Sequence, residues 1–214
     1  MFQLDLEEIV LRLVVVLPAL TWHEFAHAYM ADRMGDPTPR MMGRLTLNPL
    51  AHIDPIGTII LPIFVKFGWA KPVPINPLNF RDPARGSLIT AAAGPVANLM
   101  QAAAIGLSLR IMLAIAPVEW LMENRDAARG VAGILLAWTA VNVMLAIFNL
   151  IPLGPLDGHH ILEALLPYEQ LQSYRQFNQY GFIVLIAVVF LAPGVLDLVV
   201  FTPARAIAGL LTGV

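Results

Sequence analysis

The stretch IVLRLVVVLPALTWHEFAHAYMA, residues 9–31, decides the fold class, because it joins a long apolar run to a group of ionisable side chains. A helix needs about 20 predominantly apolar residues to cross roughly 30 Å of hydrocarbon, and this stretch is long enough. Further stretches of this kind occur at residues 88–116, 130–150 and 181–200. We therefore predict a mainly α, polytopic membrane protein with about four transmembrane helices.

The composition favours the same class of protein. Of the 214 residues, 58% are hydrophobic and 13% are charged, and the mean hydropathy is +0.71. Soluble domains usually carry about 25% charged residues, so this chain suits an apolar solvent. No linker or internal repeat divides it, which predicts a single integral membrane domain over residues 1–214. The net charge of −2, without a basic stripe, gives no reason to expect nucleic acid, and the lack of cysteine excludes thiolate metal ligands.

The region between the first two predicted spans, residues 33–85, is dense in proline and glycine, which prevents long helices. Within it, GRLTLNPL at residues 43–50 is compatible with one or two short β-strands, and the alternative is a solvated loop. Residues 56–68 form a short apolar run that contains Pro62. A run of that length is typical of a re-entrant or interfacial segment.

Lysine and arginine residues predict the orientation of the chain, since they concentrate in cytoplasmic loops. If residues 56–68 do not cross the membrane, residues 33–85 form one loop, which we expect to be cytoplasmic. Its basic residues are Arg33, Arg40, Arg44, Lys66, Lys71, Arg81 and Arg85. The connection at residues 117–129 is more acidic and is expected on the opposite side. Both termini then lie outside a multi-pass protein, which we expect in the cell membrane.

The segment WHEFAH in the first predicted span carries the chemistry. It contains His23, Glu24 and His27 in the pattern H-E-x-x-H. Residues four apart lie on one face of a helix about 6 Å apart, so both imidazoles can bind one metal ion. Glu24 can then act as the base for a water in the open metal position. Ionisable groups within a membrane span are costly and usually functional, which argues against coincidence.

A catalytic zinc ion usually has three protein ligands, so a third is needed. Asp157, in NLIPLGPLDG, is the best candidate, because it follows the third span at its expected cytoplasmic end. It shares a side with the histidines only if residues 56–68 do not cross the membrane, which agrees with the loop charges. The active site is therefore expected near the cytoplasmic side. For His52, His159 and His160, roles in a loop or at a helix start are favoured over metal binding.

Three segments together resemble the site-2 protease family of intramembrane zinc metalloproteases, in its short form without PDZ or CBS domains. The segments are HEFAH at residues 23–27, GPVAN at 94–98 and NLIPLGPLDG at 149–158. The resemblance implies one zinc ion per chain, with Glu24 as the base and with the ligands His23, His27 and Asp157. It also implies that Asn149 assists the substrate carbonyl or oxyanion and that Asn98 lies near the active site.

We therefore predict an intramembrane zinc metalloendopeptidase that hydrolyses peptide bonds of a transmembrane protein or peptide by means of a metal-activated water. The lipid bilayer is the other expected partner. Two imidazoles and a carboxylate also accept other first-row ions, and zinc is favoured by availability and precedent. The alternative is a non-catalytic membrane protein that binds or transports a metal with the same ligands. That alternative predicts polar residues along several spans, whereas here they cluster at one depth.

Overall fold

The computed structural model describes residues 6–60 and 68–213, and these residues are mainly helical. The first helix, α1, covers Leu6–Met34, and the short helix α2 covers Thr38–Met41. The later helices are α3 (Pro83–Ile115), α4 (Val118–Glu123), α5 (Arg125–Asn149), α6 (Asp157–Leu165), α7 (Tyr168–Asn178), α8 (Gly181–Leu191), α9 (Pro193–Leu196) and α10 (Thr202–Thr212). The remaining helical segments are 3₁₀ turns at Pro49–Ala51 and Pro77–Asn79 and π-helices at Pro55–Ile60 and Asp197–Phe201.

In the described part of the chain, three helical stretches are long and apolar enough to cross a membrane. They are α3, α5 and the continuous stretch Pro193–Thr212, which joins α9, a π-helix and α10. The first two match the spans predicted at residues 88–116 and 130–150. Helix α1 contains the first predicted span but is not among the three, and its second half carries the polar group around His23. The chain is thus an integral membrane protein with three candidate spans, and the prediction of four is not confirmed.

The outward side chains of these stretches are apolar. Met100, Ile115 and Leu210 are 68%, 75% and 77% exposed, and they belong to α3 and α10. Large apolar side chains on contiguous outer faces indicate contact with lipid rather than with water. The bundle therefore has the surface of a membrane protein as well as the helix lengths of one.

The last predicted span, residues 181–200, is wrong in its bounds. Helix α8 ends at Leu191, where Ala192 leaves the helical region with φ −135° and ψ 52°. Pro193 lacks a backbone N–H and cannot continue the hydrogen-bond ladder, so a new helical stretch begins there. This stretch runs on to Thr212, because Pro203 lies in the first turn of α10, where a missing N–H costs nothing.

The short strands predicted within residues 43–50 do not form, and the described residues contain no strand. Gly43 turns the chain with φ +68°, and the Asn48 side chain caps the following 3₁₀ turn by accepting from the Leu50 N–H. The segment is thus shaped by a turn and a side-chain cap within it, and it does not pair with another strand among the described residues. Of the predicted re-entrant segment at 56–68, residues 56–60 belong to a π-helix, and residues 61–67 lie outside the described residues.

Helix α3 is the centre of the bundle, since it packs against α1, α5, α6 and α10. Small side chains bring the helices close together: Ala102 of α3 is fully buried against Val143 of α5 and Ala204 of α10. A Cβ atom added to Gly106 would lie 2.9 Å from the Cβ of Leu211. Close packing of small residues is a common way for helices to associate in lipid. It fixes α3 against α5 and α10, and α3 packs in turn against α1, the helix that carries the H-E-x-x-H pattern.

Candidate metal centre

Three predicted side chains converge on one point between α1 and the start of α6. The Nε2 atoms of His23 and His27 are 3.0 Å apart. Asp157 places Oδ2 at 3.2 Å from Nε2 of His23 and Oδ1 at 3.3 Å from Nε2 of His27. All three side chains are largely buried. The spacing suits one small cation, because ligand atoms about 2.0–2.2 Å from a tetrahedral zinc ion lie roughly 3.4 Å apart.

The hydrogen bonds of the imidazoles place a proton on Nδ1 of each ring. Nδ1 of His23 lies 2.6 Å from Oδ1 of Asn98, and Nδ1 of His27 lies 2.7 Å from the backbone oxygen of Thr90. Both oxygens can only accept, so each Nδ1 donates and each neutral ring presents a lone pair at Nε2. Oδ2 of Asp157 is likewise buried without a hydrogen-bond donor. Acceptor atoms that face one another repel, and a divalent cation removes that repulsion. The donor set of two imidazoles and a carboxylate therefore fits a zinc ion.

Helix α3 supports the two imidazoles with residues four positions apart. Thr90 contacts His27, Asn98 contacts His23, and Gly94 lies between them on the same face. A Cβ atom at Gly94 would lie 2.6 Å from Cε1 and Nε2 of His23 and closer still to Nε2 of His27. The glycine therefore leaves the space in which both rings fit.

Asn98 is fully buried and acts on His23 rather than facing the cavity. Its Nδ2 donates to the Ala19 oxygen at 3.2 Å and to Oδ1 of Asn142 at 2.8 Å, which fixes its Oδ1 toward the imidazole. Asn142 donates in turn to the Trp138 oxygen at 3.0 Å. Hydrogen bonds of this kind orient a metal-binding histidine and select its tautomer.

Asp157 is the first residue of α6, and the glycine after it explains how it approaches the histidines. A Cβ atom at Gly158 would overlap the carbonyl oxygens of Leu150 and Ile151. The start of α6 can therefore lie directly under the turn that ends α5. This close packing brings the Asp157 carboxylate next to His23 and His27 of α1.

Glu24 is also buried, and its Oε2 accepts a hydrogen bond of 3.1 Å from the backbone N–H of Val73. Val73 belongs to a segment without regular secondary structure, residues 68–76, which we call the wall segment. The buried guanidinium of Arg44 donates to the carbonyl oxygens of Lys71 and Pro72, immediately before Val73. Arg44 thereby holds the part of the wall segment that contacts Glu24.

The far end of the wall segment is anchored by Asp36, a fully buried carboxylate just after α1. Oδ2 of Asp36 accepts from the Asn76 N–H at 2.7 Å. Oδ1 accepts from the Thr38 hydroxyl at 2.5 Å and from the Asn79 amide at 2.8 Å. The wall segment is therefore held near its middle by Arg44 and at its end by Asp36.

A cavity of about 560 Å³ opens beside the converging side chains. It is lined by His23, Glu24, His27 and Asp157, by the wall segment, and by the ends of α5 and α8. Asn149 lines it from the last turn of α5, and one of its amide hydrogens is donated to the Leu145 oxygen at 2.9 Å. The volume is in the range of sites that bind small molecules or short chain segments.

The other histidines lie apart from this cluster. His52 is buried, and its Nε2 lies 2.9 Å from the Thr46 oxygen, which matches the expected loop role. His159 and His160 lie in the first turn of α6, and both point toward Glu163. Neither contributes an atom to the group formed by His23, His27 and Asp157.

Several residues of the site were missed in the sequence. Asn142 could have been identified from the sequence, since an amide side chain within an apolar span is energetically costly unless it has a structural or functional role. Val73 acts through its backbone, for which the only signal is its place between Pro72 and Pro74, which have no N–H. Arg44 was expected as a loop charge and is instead buried.

The fold and the site define an integral membrane protein with a buried cluster of two histidines and one aspartate. The model of peptidase family M50 matches residues 109–192. A protein of Bacillus subtilis (strain 168), "Putative zinc metalloprotease YwhC", is 39% identical over 180 residues, which are 84% of this chain and 80% of that protein. The "Putative zinc metalloprotease Rip2" of Mycolicibacterium smegmatis (strain ATCC 700084 / mc(2)155) is 30% identical over 173 residues, which are 79% of this chain and 62% of that protein. The chain belongs to peptidase family M50. No solved structure matches it.

Proposed function

We propose that this zinc metalloprotease is an intramembrane endopeptidase, with one zinc ion held by His23, His27 and Asp157 and with Glu24 as the general base. The observation that carries the proposal is the convergence of two imidazole Nε2 atoms and a carboxylate, all within about hydrogen-bond distance of one another. A non-catalytic metal carrier would not need Glu24 in the same cavity. The family membership supports hydrolysis as well.

Zinc, when bound, supplies a Lewis acid that lowers the pKa of a coordinated water toward about 7. Glu24 lines the same cavity and can take the proton of the attacking water and pass it to the leaving amine. The Val73 N–H holds one carboxylate oxygen of Glu24 in place, so the side chain is positioned before substrate binds. Asn98 and Thr90 hold the two imidazoles in the tautomer that presents Nε2.

The substrate we propose is an apolar segment of a transmembrane protein, unwound where it enters the cavity. The cavity lies within the bundle, and the wall segment and the ends of α5 and α8 give it a mainly apolar lining. Asn149 has a second amide hydrogen besides the one donated to Leu145. In this proposal that hydrogen contacts the scissile carbonyl and the charge that develops on its oxygen.

We further propose that α1 crosses the membrane as a fourth span and that the active site opens toward the cytoplasm. The basic residues of the region between α1 and α3 support this orientation. The chain has no cysteine, so single cysteines can be introduced without background. Met42→Cys and Met122→Cys replace side chains that are 61% and 75% exposed. In intact cells of a bacterial host, a membrane-impermeant maleimide should label position 122 and not position 42; the reverse pattern would overturn the orientation.

The catalytic assignment is tested by comparing zinc content and proteolysis in three purified proteins. Glu24→Gln should keep one zinc ion per chain and lose cleavage of tagged single-span model proteins, measured by mass spectrometry of the fragments. Asp157→Ala should lose both zinc and cleavage. The matched control Asp126→Ala, at the exposed start of α5, should keep both. Unchanged zinc affinity in Asp157→Ala would remove the third ligand from the proposal.

A further inference from the structure

A second group of potential metal ligands lies on α6, beside the catalytic cavity. It consists of His159, His160 and Glu163, whose ligand atoms all lie within 4.8 Å of one another. Nε2 of His159 is 3.7 Å from Oε2 of Glu163, and Nδ1 of His160 is 4.0 Å from the same oxygen. A tetrahedral zinc ion needs about 3.4 Å between such atoms, so a small movement of these side chains, of which His160 is exposed, suffices.

Neighbouring residues orient the ligands of this group. The Tyr174 hydroxyl lies 3.1 Å from both the Pro152 oxygen and Nδ1 of His159, so it can donate to the oxygen while it accepts from Nδ1. This arrangement directs Nε2 of His159 toward Glu163. The guanidinium of Arg175 donates to Oε1 of Glu163 and leaves Oε2 facing the two histidines. Partners of this kind, which fix the tautomer and the orientation of ligands, typically accompany metal sites.

We propose that His159, His160 and Glu163 form a second, weaker site for a divalent transition-metal ion such as zinc. It is weaker than the catalytic centre because its ligand atoms are further apart and because the His160 side chain is 58% exposed. His160 also lines the catalytic cavity. An ion bound there adds positive charge at the edge of the cavity and narrows it, so excess zinc slows proteolysis.

The test is the zinc stoichiometry of the full-length protein in detergent, at free zinc concentrations set by a metal buffer. Wild-type protein should bind one ion at low free zinc and a second at concentrations at least about tenfold higher. His160→Gln and Glu163→Gln should lose only the second step. Tyr174→Phe, which removes the partner of His159, should weaken the second step about 10–100-fold. The control Glu169→Gln, an exposed glutamate on the neighbouring α7, should keep both steps.

Asp157→Ala separates this proposal from the catalytic one, because it should lose the first step and keep the second. Excess zinc should inhibit wild-type proteolysis and should inhibit His160→Gln at least about tenfold less effectively. A wild-type protein that binds only one ion at every free zinc concentration would overturn the second site. So would a second step that both His160→Gln and Glu163→Gln leave unchanged.

Discussion

The backbone N–H of Val73 donates a hydrogen bond of 3.1 Å to Oε2 of Glu24, and so joins the wall segment to the proposed catalytic base. Pro72 and Pro74 flank Val73, so no neighbouring N–H in that stretch can replace this donor. The position of the wall segment therefore decides whether Glu24 is held. Arg44, which is distant from Val73 in the sequence, fixes that position through its hydrogen bonds to the wall segment.

Replacing Arg44 should reduce catalysis without removing the metal. Arg44→Met removes the donors to the Lys71 and Pro72 carbonyl oxygens, so the Val73 N–H is no longer aimed at Glu24. A misplacement of about 1 Å near reacting groups can cost up to about 10²-fold in rate. We expect a kcat about 10–100-fold lower with an unchanged zinc content, measured on a model substrate.

The matched control for that prediction is Arg40→Met, since Arg40 is exposed and pairs only with Asp32 among the described residues. It should leave kcat unchanged. Arg44→Lys can still donate to one carbonyl oxygen and should restore part of the activity. Equal losses in the Lys and Met variants of Arg44, with lower thermal stability in both, would indicate a purely structural role.

A methyl group at position 94 should prevent metal binding. In Gly94→Ala the new Cβ would lie where the rings of His23 and His27 now pack, and α3 cannot withdraw because small residues hold it against its neighbours. We expect loss of bound zinc and of proteolysis. Gly133→Ala on α5 meets nothing within 4 Å and should stabilise the protein by about 0.5–1 kcal/mol. Stoichiometric zinc in Gly94→Ala would contradict the described approach of α3.

The asparagine pair behind His23 should tune metal affinity. Asn98→Leu removes the acceptor for Nδ1 of His23, and such losses typically weaken metal binding about 10–100-fold. Asn142→Leu removes only the acceptor that orients Asn98, so its effect should be smaller. Competition with a chelator of known affinity measures both, and Ser108→Ala on the exposed face of α3 serves as the control. If Asn142→Leu weakened binding more than Asn98→Leu, the proposed chain of contacts would be wrong.

The ionisation of Asp36 should make the free energy of unfolding depend on pH below about pH 4. Burial raises the pKa of Asp36, but hydrogen bonds from Thr38, Asn76 and Asn79 outweigh burial and hold the pKa below its usual value of 3.8. Because the pKa is lower in the folded state, the stabilisation is fully present above about pH 4 and is lost as the pH falls through the folded value. Asp36→Asn should therefore be destabilised at neutral pH, by about 1.5–3 kcal/mol if one charge-assisted hydrogen bond is lost.

That difference is measured by thermal unfolding of both proteins in detergent with a chelator present, so that metal loss does not contribute. The gap between wild type and Asp36→Asn should be constant from about pH 5 to 7 and should narrow below about pH 4. A gap that widens in acid would mean that Asp36 is protonated in the folded protein.

The sequence predicted the helices whose apolar runs are uninterrupted, and α3 and α5 lie within a few residues of their expected bounds. It also predicted that His23, His27 and Asp157 come together, because the H-E-x-x-H spacing places both imidazoles on one helix face and Asp157 follows the third span on the same expected side. The prediction missed the break at Pro193, because it followed hydrophobicity alone, and apolar residues continue on both sides of the Pro193–Gly194 pair.

The residues that position the site were harder to predict from the sequence. A positive charge in a loop suggests an exposed side chain, yet Arg44 is only 6% exposed and binds backbone oxygens. Such contacts depend on where two irregular segments meet, and no periodic pattern encodes that. A backbone donor such as the Val73 N–H gives almost no signal in the sequence, because nearly every residue type provides one.

The four-residue register of Thr90, Gly94 and Asn98 against His23 and His27 also bears on biogenesis. While α1 is inserted alone, its imidazoles have neither the helix that orients them nor the carboxylate that joins them. The orienting helix α3 is complete once translation has passed Ile115, but the carboxylate is available only after translation has passed Asp157 and the helices have docked. With the proposed zinc ligands, the nascent polypeptide therefore cannot hydrolyse a peptide bond until this late step of assembly.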